Sequence, residues 1–274
     1  MKKLLFVLFF ACVGNLQAQS PYSYKATYQL EFQENSIDEN SIKSEIGVLY
    51  LGKGHSRYSS LGKAVKDSLE AYVEASKISG AEAFEILQQA PETDFHYKIF
   101  KDHQDNELIL AEIITKKWHY KYVQALNTVD WKIQPVNKEI SGYPAQKATG
   151  SFAGRDYVAW FAPQLPFSDG PYKFNSLPGL IIEVSDLEDH YHFSLISFQE
   201  IDPPVGRLLD LDKYKVVSQK ELDQFRDDHN RDPLTAYENA GARFRFINEE
   251  VEAKTRKELS EKYKRQNNPI ELQP

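Results

Sequence analysis

The chain has 274 residues, with 33 Lys and Arg against 40 Asp and Glu and a formal net charge of −7. An acidic chain without a basic cluster excludes nucleic acid as a main partner and disfavours peripheral binding to anionic lipid. The length suits one large domain or two small ones, and 16 Tyr with 16 Phe favour sheet.

The elements follow in chain order. Lys2 and Lys3, the apolar run from Leu4 to Val13 and the small residue closing Leu16-Gln17-Ala18 are the parts of a signal peptide spanning residues 1–18. The run is too short for a bilayer, which needs about 20 residues. A competing reading acylates Cys12 as the first residue of a lipoprotein, against which Phe9 and Phe10 precede the small Ala11. Cleavage after Ala18 leaves a mature chain with no cysteine, hence no disulfide, thiolate nucleophile or cysteine zinc site. Export is expected, with no transmembrane segment in the mature chain.

Tyr24, Ala26, Tyr28, Leu30 and Phe32 alternate with polar residues and predict a half-buried strand. A polar loop to Ser44, a strand over 45–51 and a turn at Gly52-Lys53-Gly54 follow, with His55 to Ser59 as the hairpin partner. Leu61, Val65, Leu69 and Val73 keep helical spacing, and residues 81–87 extend that helix. Strands are then predicted over 95–101, 108–115, 118–123 and 129–134, a turn at Gly142-Tyr143-Pro144, and a hairpin of 145–152 with 155–161 around Ala153-Gly154. The stretch 162–176 is a loop rich in proline and aromatics, and 180–184 pairs with 191–198. Ser218-Gln219-Lys220-Glu221 has the form of a capping box, and 249–265 reads as a charged helix. The fold class is therefore mainly β (α+β): a curved antiparallel sheet or half-barrel with one inserted helix. The divisions are a β-rich core over 19–205 and a helical C-terminal section over 206–274 packed on the same domain.

The segment from Tyr157 runs Tyr-Val-Ala-Trp-Phe-Ala-Pro, then Leu165-Pro166, then Gly170-Pro171-Tyr172-Lys173-Phe174, and closes as Leu177-Pro178-Gly179-Leu180-Ile181. It resembles the GLPGLI family, with Ser176 where the first glycine of that motif stands. Ile140-Ser141-Gly142-Tyr143, Gln146 to Thr149 and the terminal Asn268-Pro269-Ile270-Glu271-Leu272 add to the resemblance, which covers most of the chain. It implies an exported protein of Bacteroidetes-type bacteria, in the periplasm or at the outer membrane of a Gram-negative envelope, without established activity, and carries no catalytic residues over. Many members have a Cys near Ala145, so chemistry resting on it is absent here. The Trp-Phe-x-Pro…Leu-Pro pattern also resembles, loosely, the outer-membrane lipoprotein carrier fold, a half-barrel around an apolar cavity.

Read from its residues, the signature is either a packing device or the rim of a ligand or partner site. As packing, Pro163, Pro166 and Pro171 stiffen the loop, and Pro178-Gly179 makes a type II turn with glycine at positive φ. As a rim, its contacts are Trp160, Phe167, Tyr172, Phe174, Leu177, Pro178 and Gly179. The occupant expected is an apolar small molecule or an outer-membrane protein. Arg155 with Asp156, and Lys173, form a buried charge contact. Two alternatives stand beside this binding module: a purely structural or assembly role, and a metal-assisted hydrolase using Asp186, Glu188, Asp189, His190 and His192. In the last, His190 and His192 share a strand face, the same face as solvent if Tyr191, Phe193 and Leu195 point inward. Asp227, Asp228, His229 and Asp232 lack the spacing of a calcium loop and are read as a solvated helix end. No cofactor, catalytic constellation or resident metal is expected.

Overall fold

Alternation places Tyr28, Leu30 and Phe32 on one side of a first strand, β1 (Tyr22–Gln33), and all three are buried. The computed structural model describes residues 22–115, 117–127, 129–205 and 211–273. The signal peptide read over residues 1–18, with Cys12, lies outside them. β2 (Ile42–Gly52) and β3 (His55–Ser60) complete a meander. Two helices follow, α1 (Leu61–Ala75) and α2 (Gly80–Leu87). Then come β4 (Tyr97–Asp102), β5 (Glu107–Thr115), β6 (Trp118–Ala125), β7 (Lys132–Ile140), β8 (Tyr143–Phe152) and β9 (Arg155–Ala162). After a long loop lie β10 (Leu180–Asp186), β11 (Tyr191–Val205) and the two-residue β12 (Lys215–Val216). α3 (Gln219–Arg231), α4 (Pro233–Asn239) and α5 (Glu249–Arg265) end the described elements.

Among the described residues the chain is thus mainly β, with five helices and one 12-stranded sheet that is not closed. The strand order is β12-β6-β5-β4-β3-β2-β1-β11-β10-β9-β8-β7. Neighbours are antiparallel except that Lys215 and Val216 lie parallel to Tyr120 and Lys121. The sheet is therefore mixed, and antiparallel apart from that two-residue edge strand.

Turn chemistry sets the hairpins. Ala153 (φ +48°) and Gly154 (φ +86°) form the two-residue link between β8 and β9, with both residues left-handed as the twist of a hairpin requires. Ser141 (φ +51°) and Gly142 (φ +80°) do the same between β7 and β8. The turn predicted at Gly142-Tyr143-Pro144 is therefore one residue earlier, and Tyr143 and Pro144 open β8 opposite Ile140 and Glu139. The single inserted helix is two helices, because Lys77 (φ +55°) and Gly80 (φ +68°) break the path between them. The capping box of α3 is present, Ser218 and Glu221 each bonding the other's backbone N–H.

The main core lies on one face of the sheet, and a smaller cluster of Phe100, Ala111, Leu211 and Tyr214 lies on the other. Tyr58 of β3 meets Phe193 of β11 at 6.5 Å between ring centres, although two strands separate them in the order. Tyr28 of β1 donates its hydroxyl to the Ile181 carbonyl of β10 at 2.8 Å. α3 docks on β5 and β6. Leu222 is buried, Phe225 stacks on Tyr120 at 4.6 Å, and the Arg226 guanidinium holds Glu112 at 2.6–2.7 Å. Asp227, Asp228 and His229 lie within α3 rather than past it, and Asp232 caps α4 through the Thr235 N–H. No helix among the described residues is long and apolar enough to cross a membrane.

Candidate functional site

The signature loop, residues 163–179, leaves β9 at Ala162 and returns at Leu180, which sits opposite Ala162 in the sheet. Between those ends it bonds chiefly to itself. Leu165 donates to Ala162, Leu180 to Leu165, Ile181 to Asp169, and Asp169 and Asn175 form an isolated bridge. Tyr172 (φ +52°) and Ser176 (φ +72°) are left-handed. The glycine position of the resemblance is thus a position at which glycine is the unstrained choice, and serine here accepts that strain. Gly179 has the positive φ predicted of it, and a second reason to be glycine. Its φ is +152°, and a Cβ there would come within 2.4 Å of the Ala162 carbonyl oxygen. The glycine is needed because two backbones touch. Gly179→Ala is expected to destabilise the protein by about 1–3 kcal/mol, the usual cost of overpacking, measured by urea unfolding. An unchanged midpoint would refute the close approach.

Buried charges pin the loop. Asp169 is 2% exposed and its Oδ1 accepts from Lys101 Nζ of β4 at 2.6 Å, with Lys101 fully buried. The same ammonium donates to the carbonyls of Gly170 (2.7 Å) and Phe174 (3.0 Å), so all three of its hydrogens have acceptors. His103 Nε2 reaches the other carboxylate oxygen at 3.1 Å. Burial opposes ionisation of Asp169, but the Lys101 charge and the His103 contact outweigh it and lower its pKa to about 2. Further along, Lys173 is fully buried and pairs with Glu271, which also takes the Tyr172 hydroxyl. Burial pushes the Lys173 amine down against the opposing pull of Glu271, and pushes the Tyr172 hydroxyl well up. Asn175 donates to the Leu126 carbonyl at 2.8 Å and its own carbonyl accepts the Trp131 indole N–H at 2.8 Å.

The residues predicted as contacts are divided by this arrangement. Tyr172, Phe174, Leu177 and Gly179 are buried, with Phe174 at 4.8 Å from Tyr157 and 6.1 Å from Phe193 between ring centres. Phe167 is half-buried in a trio with Tyr24 (5.2 Å) and Phe198 (5.7 Å), and Pro178 is exposed. Trp160 stands apart on the other face of β9, half-buried under the Lys138 ammonium at 4.2 Å. Arg155 pairs with Asp186 at 2.7 Å rather than with the exposed Asp156, which accepts from Ser151. Residues of the acidic-histidine stretch disperse. Asp186 serves Arg155 and the Tyr191 N–H, His190 lies 3.3 Å from Arg155, and His192 pairs with Asp189. Among the described residues no three His, Cys, Asp or Glu side chains gather as a metal site.

Two adjoining hollows lie beside the loop, and sequence reasoning missed both. The larger, about 530 Å³, is lined by Asn127, Val129, Asp130, Trp131, Ile133, Ser176 and Leu177. The smaller, about 330 Å³, shares Asn127 and continues past Gln124, Phe152 and Gln219 to Glu271. No sequence pattern marks them, because their walls come from the β6–β7 connection, the loop edge and the C-terminal tail. Lys101 did carry a signal, since it continues the Tyr97, Ile99 alternation onto the apolar face of β4.

The signature also matches a family model. That family is described as "Protein of unknown function (Porph_ging)", and the match covers residues 153–183, from the β8–β9 turn through the loop into β10. No curated protein sequence matches the chain. Among solved structures, the chain is similar in fold to PNGF-II in space group P21, with a TM-score of 0.51 and 14% identity, over 76% of this chain and 34% of that one. PNGF-II in space group C2 matches with a TM-score of 0.47 and 15% identity, over 75% and 32%. This chain therefore spans about a third of the PNGF-II chain, and at this identity the likeness is one of fold alone.

Proposed function

We propose that this is an exported envelope protein of the GLPGLI type that binds a small ligand or an outer-membrane partner without transforming it. Export rests on the leader read over residues 1–18, and the family on the signature residues that resemble it. The binding surface in this reading is the hollow beside the loop rather than the loop's own aromatic rings, most of which are spent on the core. The observation that carries it is the 530 Å³ hollow, where half-exposed Ile133 and partly buried Trp131 adjoin Asn127 and Ser176. Its exposed lining is more polar than apolar, so in this reading Asn127, Asp130 and Ser176 hold the ligand as much as Trp131 and Ile133 do. The half-barrel reading is part of the proposal: a sheet bent around its core would hold the loop as an interior filling and leave ligands the rim. Buried anchors at Asp169 and Lys173 keep that rim fixed.

Native mass spectrometry of the protein purified from its own envelope tests this. A retained mass that dissociates on denaturation, and that is lost in Ile133→Asp, is the expected result. Ile133 is 48% exposed, so the variant should fold. Retention of the same mass by Ile133→Asp would overturn the site, and a bare chain in a stable heteromeric complex would move the reading to the assembly role.

A further inference from the structure

The C-terminal segment, residues 267–273, crosses one end of the sheet as a peptide crosses a receptor. Asn268 Oδ1 accepts from Arg155 Nη2 at 2.6 Å, its Nδ2 donates to the Gln33 carbonyl at 2.8 Å, and its own carbonyl accepts the Tyr191 hydroxyl at 2.6 Å. The Pro269 carbonyl takes a second Arg155 bond at 2.8 Å. Ile270 is buried, and Glu271 receives Lys173, Tyr172 and the Gln219 amide. The backbone N–H groups of Leu272 and Gln273 both donate to the Ala153 carbonyl. Recognition is thus by side chain at Asn268, Ile270 and Glu271, and by backbone around them.

The element that carries this segment is held far less firmly. α5 has no buried residue, and it meets α3 and α4 through Arg256, which pairs with Asp232 and Glu238, and through the half-buried Tyr263, whose ring lies 6.2 Å from that of His229. Such surface pairs contribute little. Gln266 leaves the helix in a non-helical conformation (ψ 62°), and the start of the segment is tied near the surface, Gln266 donating to Glu34 at 2.8 Å and Asn267 accepting from the Ser36 N–H at 2.9 Å. The segment is in effect a ligand on a tether, and every bond it makes can be remade with identical partners by the tail of another copy.

We propose that the end of the sheet formed by Gln33, Arg155, Tyr191, Tyr172 and Lys173 is a peptide-binding site, and that it takes the Asn-Pro-Ile-Glu segment of a second copy of this chain. Independent of the ligand reading above, the site is tested with the full chain carrying Asn268→Ala and Glu271→Gln. The probe is a fluorescein-labelled peptide of residues 264–274, read by anisotropy. Saturable binding to the variant, at least ten-fold tighter than to the unaltered chain, is expected, because the native tail competes in cis. Equal binding by both chains, or equal binding of a scrambled peptide, would overturn the site. If the double variant does not fold, Asn268→Ala alone is used, and the peptide must raise its melting temperature; no rise overturns the proposal. Two differently tagged full chains, mixed at high concentration, should form a mixed dimer on native mass spectrometry that the double variant does not form. Absence of the mixed species from the unaltered chains refutes the second copy as occupant.

Discussion

Lys101→Met is expected to lower stability by about 3–5 kcal/mol, the range found when one partner of a buried ion pair is removed. The substitution leaves the Asp169 carboxylate, 2% exposed, without its ammonium and takes a donor from two loop carbonyls. Urea unfolding at pH 7 checks the size. The double variant Lys101→Met with Asp169→Asn should recover a large part of the loss, since the uncompensated charge is gone; no recovery would show that packing, not charge, holds the loop. The pair also sets a pH dependence. Because the folded-state pKa of Asp169 is lowered to about 2, its contribution is fully present above the usual carboxylate pKa near 4. That contribution is lost as pH falls from about 4 through about 2. Asp169→Asn should flatten the stability profile in that window.

Arg155→Met is expected to cost a similar 3–5 kcal/mol. Its guanidinium is the only cation paired with Asp186 among the described contacts, and it also supplies both Asn268 and the Pro269 carbonyl. Loss of the donor leaves the buried Asp186 and Asn268 oxygens short of a partner, each at about 1–3 kcal/mol. Increased proteolysis at the C-terminal tail should accompany the loss, whereas Lys101→Met should expose the loop instead. Matching cleavage patterns in the two variants would show one cooperative unit rather than two anchors.

How much of this was legible in the sequence depends on the range of the interaction. Hairpins were legible, because a period of two and a pair of left-handed residues such as Ala153-Gly154 are local facts. The capping box at Ser218 was legible for the same reason. The split between α1 and α2 was not, since Lys77 adopts a left-handed conformation that its residue type does not favour. The loop was recognisable as a motif, and of the two readings open for it, packing device or rim, the inward turn of Tyr172 and Phe174 follows the first. Its anchors were the least legible part. Asp169 finds Lys101 on β4, and Lys173 finds Glu271 in the tail, so each partner is brought by a different element. Asp156 is the nearest acid to Arg155 in sequence, but the two are adjacent on a strand and point to opposite faces. The true partner, Asp186, is on the neighbouring hairpin.

The place of β1 in the strand order has a kinetic consequence. One edge of β1 pairs with β2 across a short loop, but its other edge pairs with β11, placing Ala26 opposite Phe198. A nascent or refolding chain can therefore build the meander from β1 to β6 early, yet must keep the far edge of β1 open until nearly the whole chain is available. Contacts so distant in sequence place folding at the slow end for domains, milliseconds to seconds or longer. During that interval an unpaired edge carrying Tyr28, Leu30 and Phe32 is a template for wrong pairing with other chains. Arrival of β11 zips that edge shut, and brings in the loop whose Asp169 meets Lys101, already in place on β4.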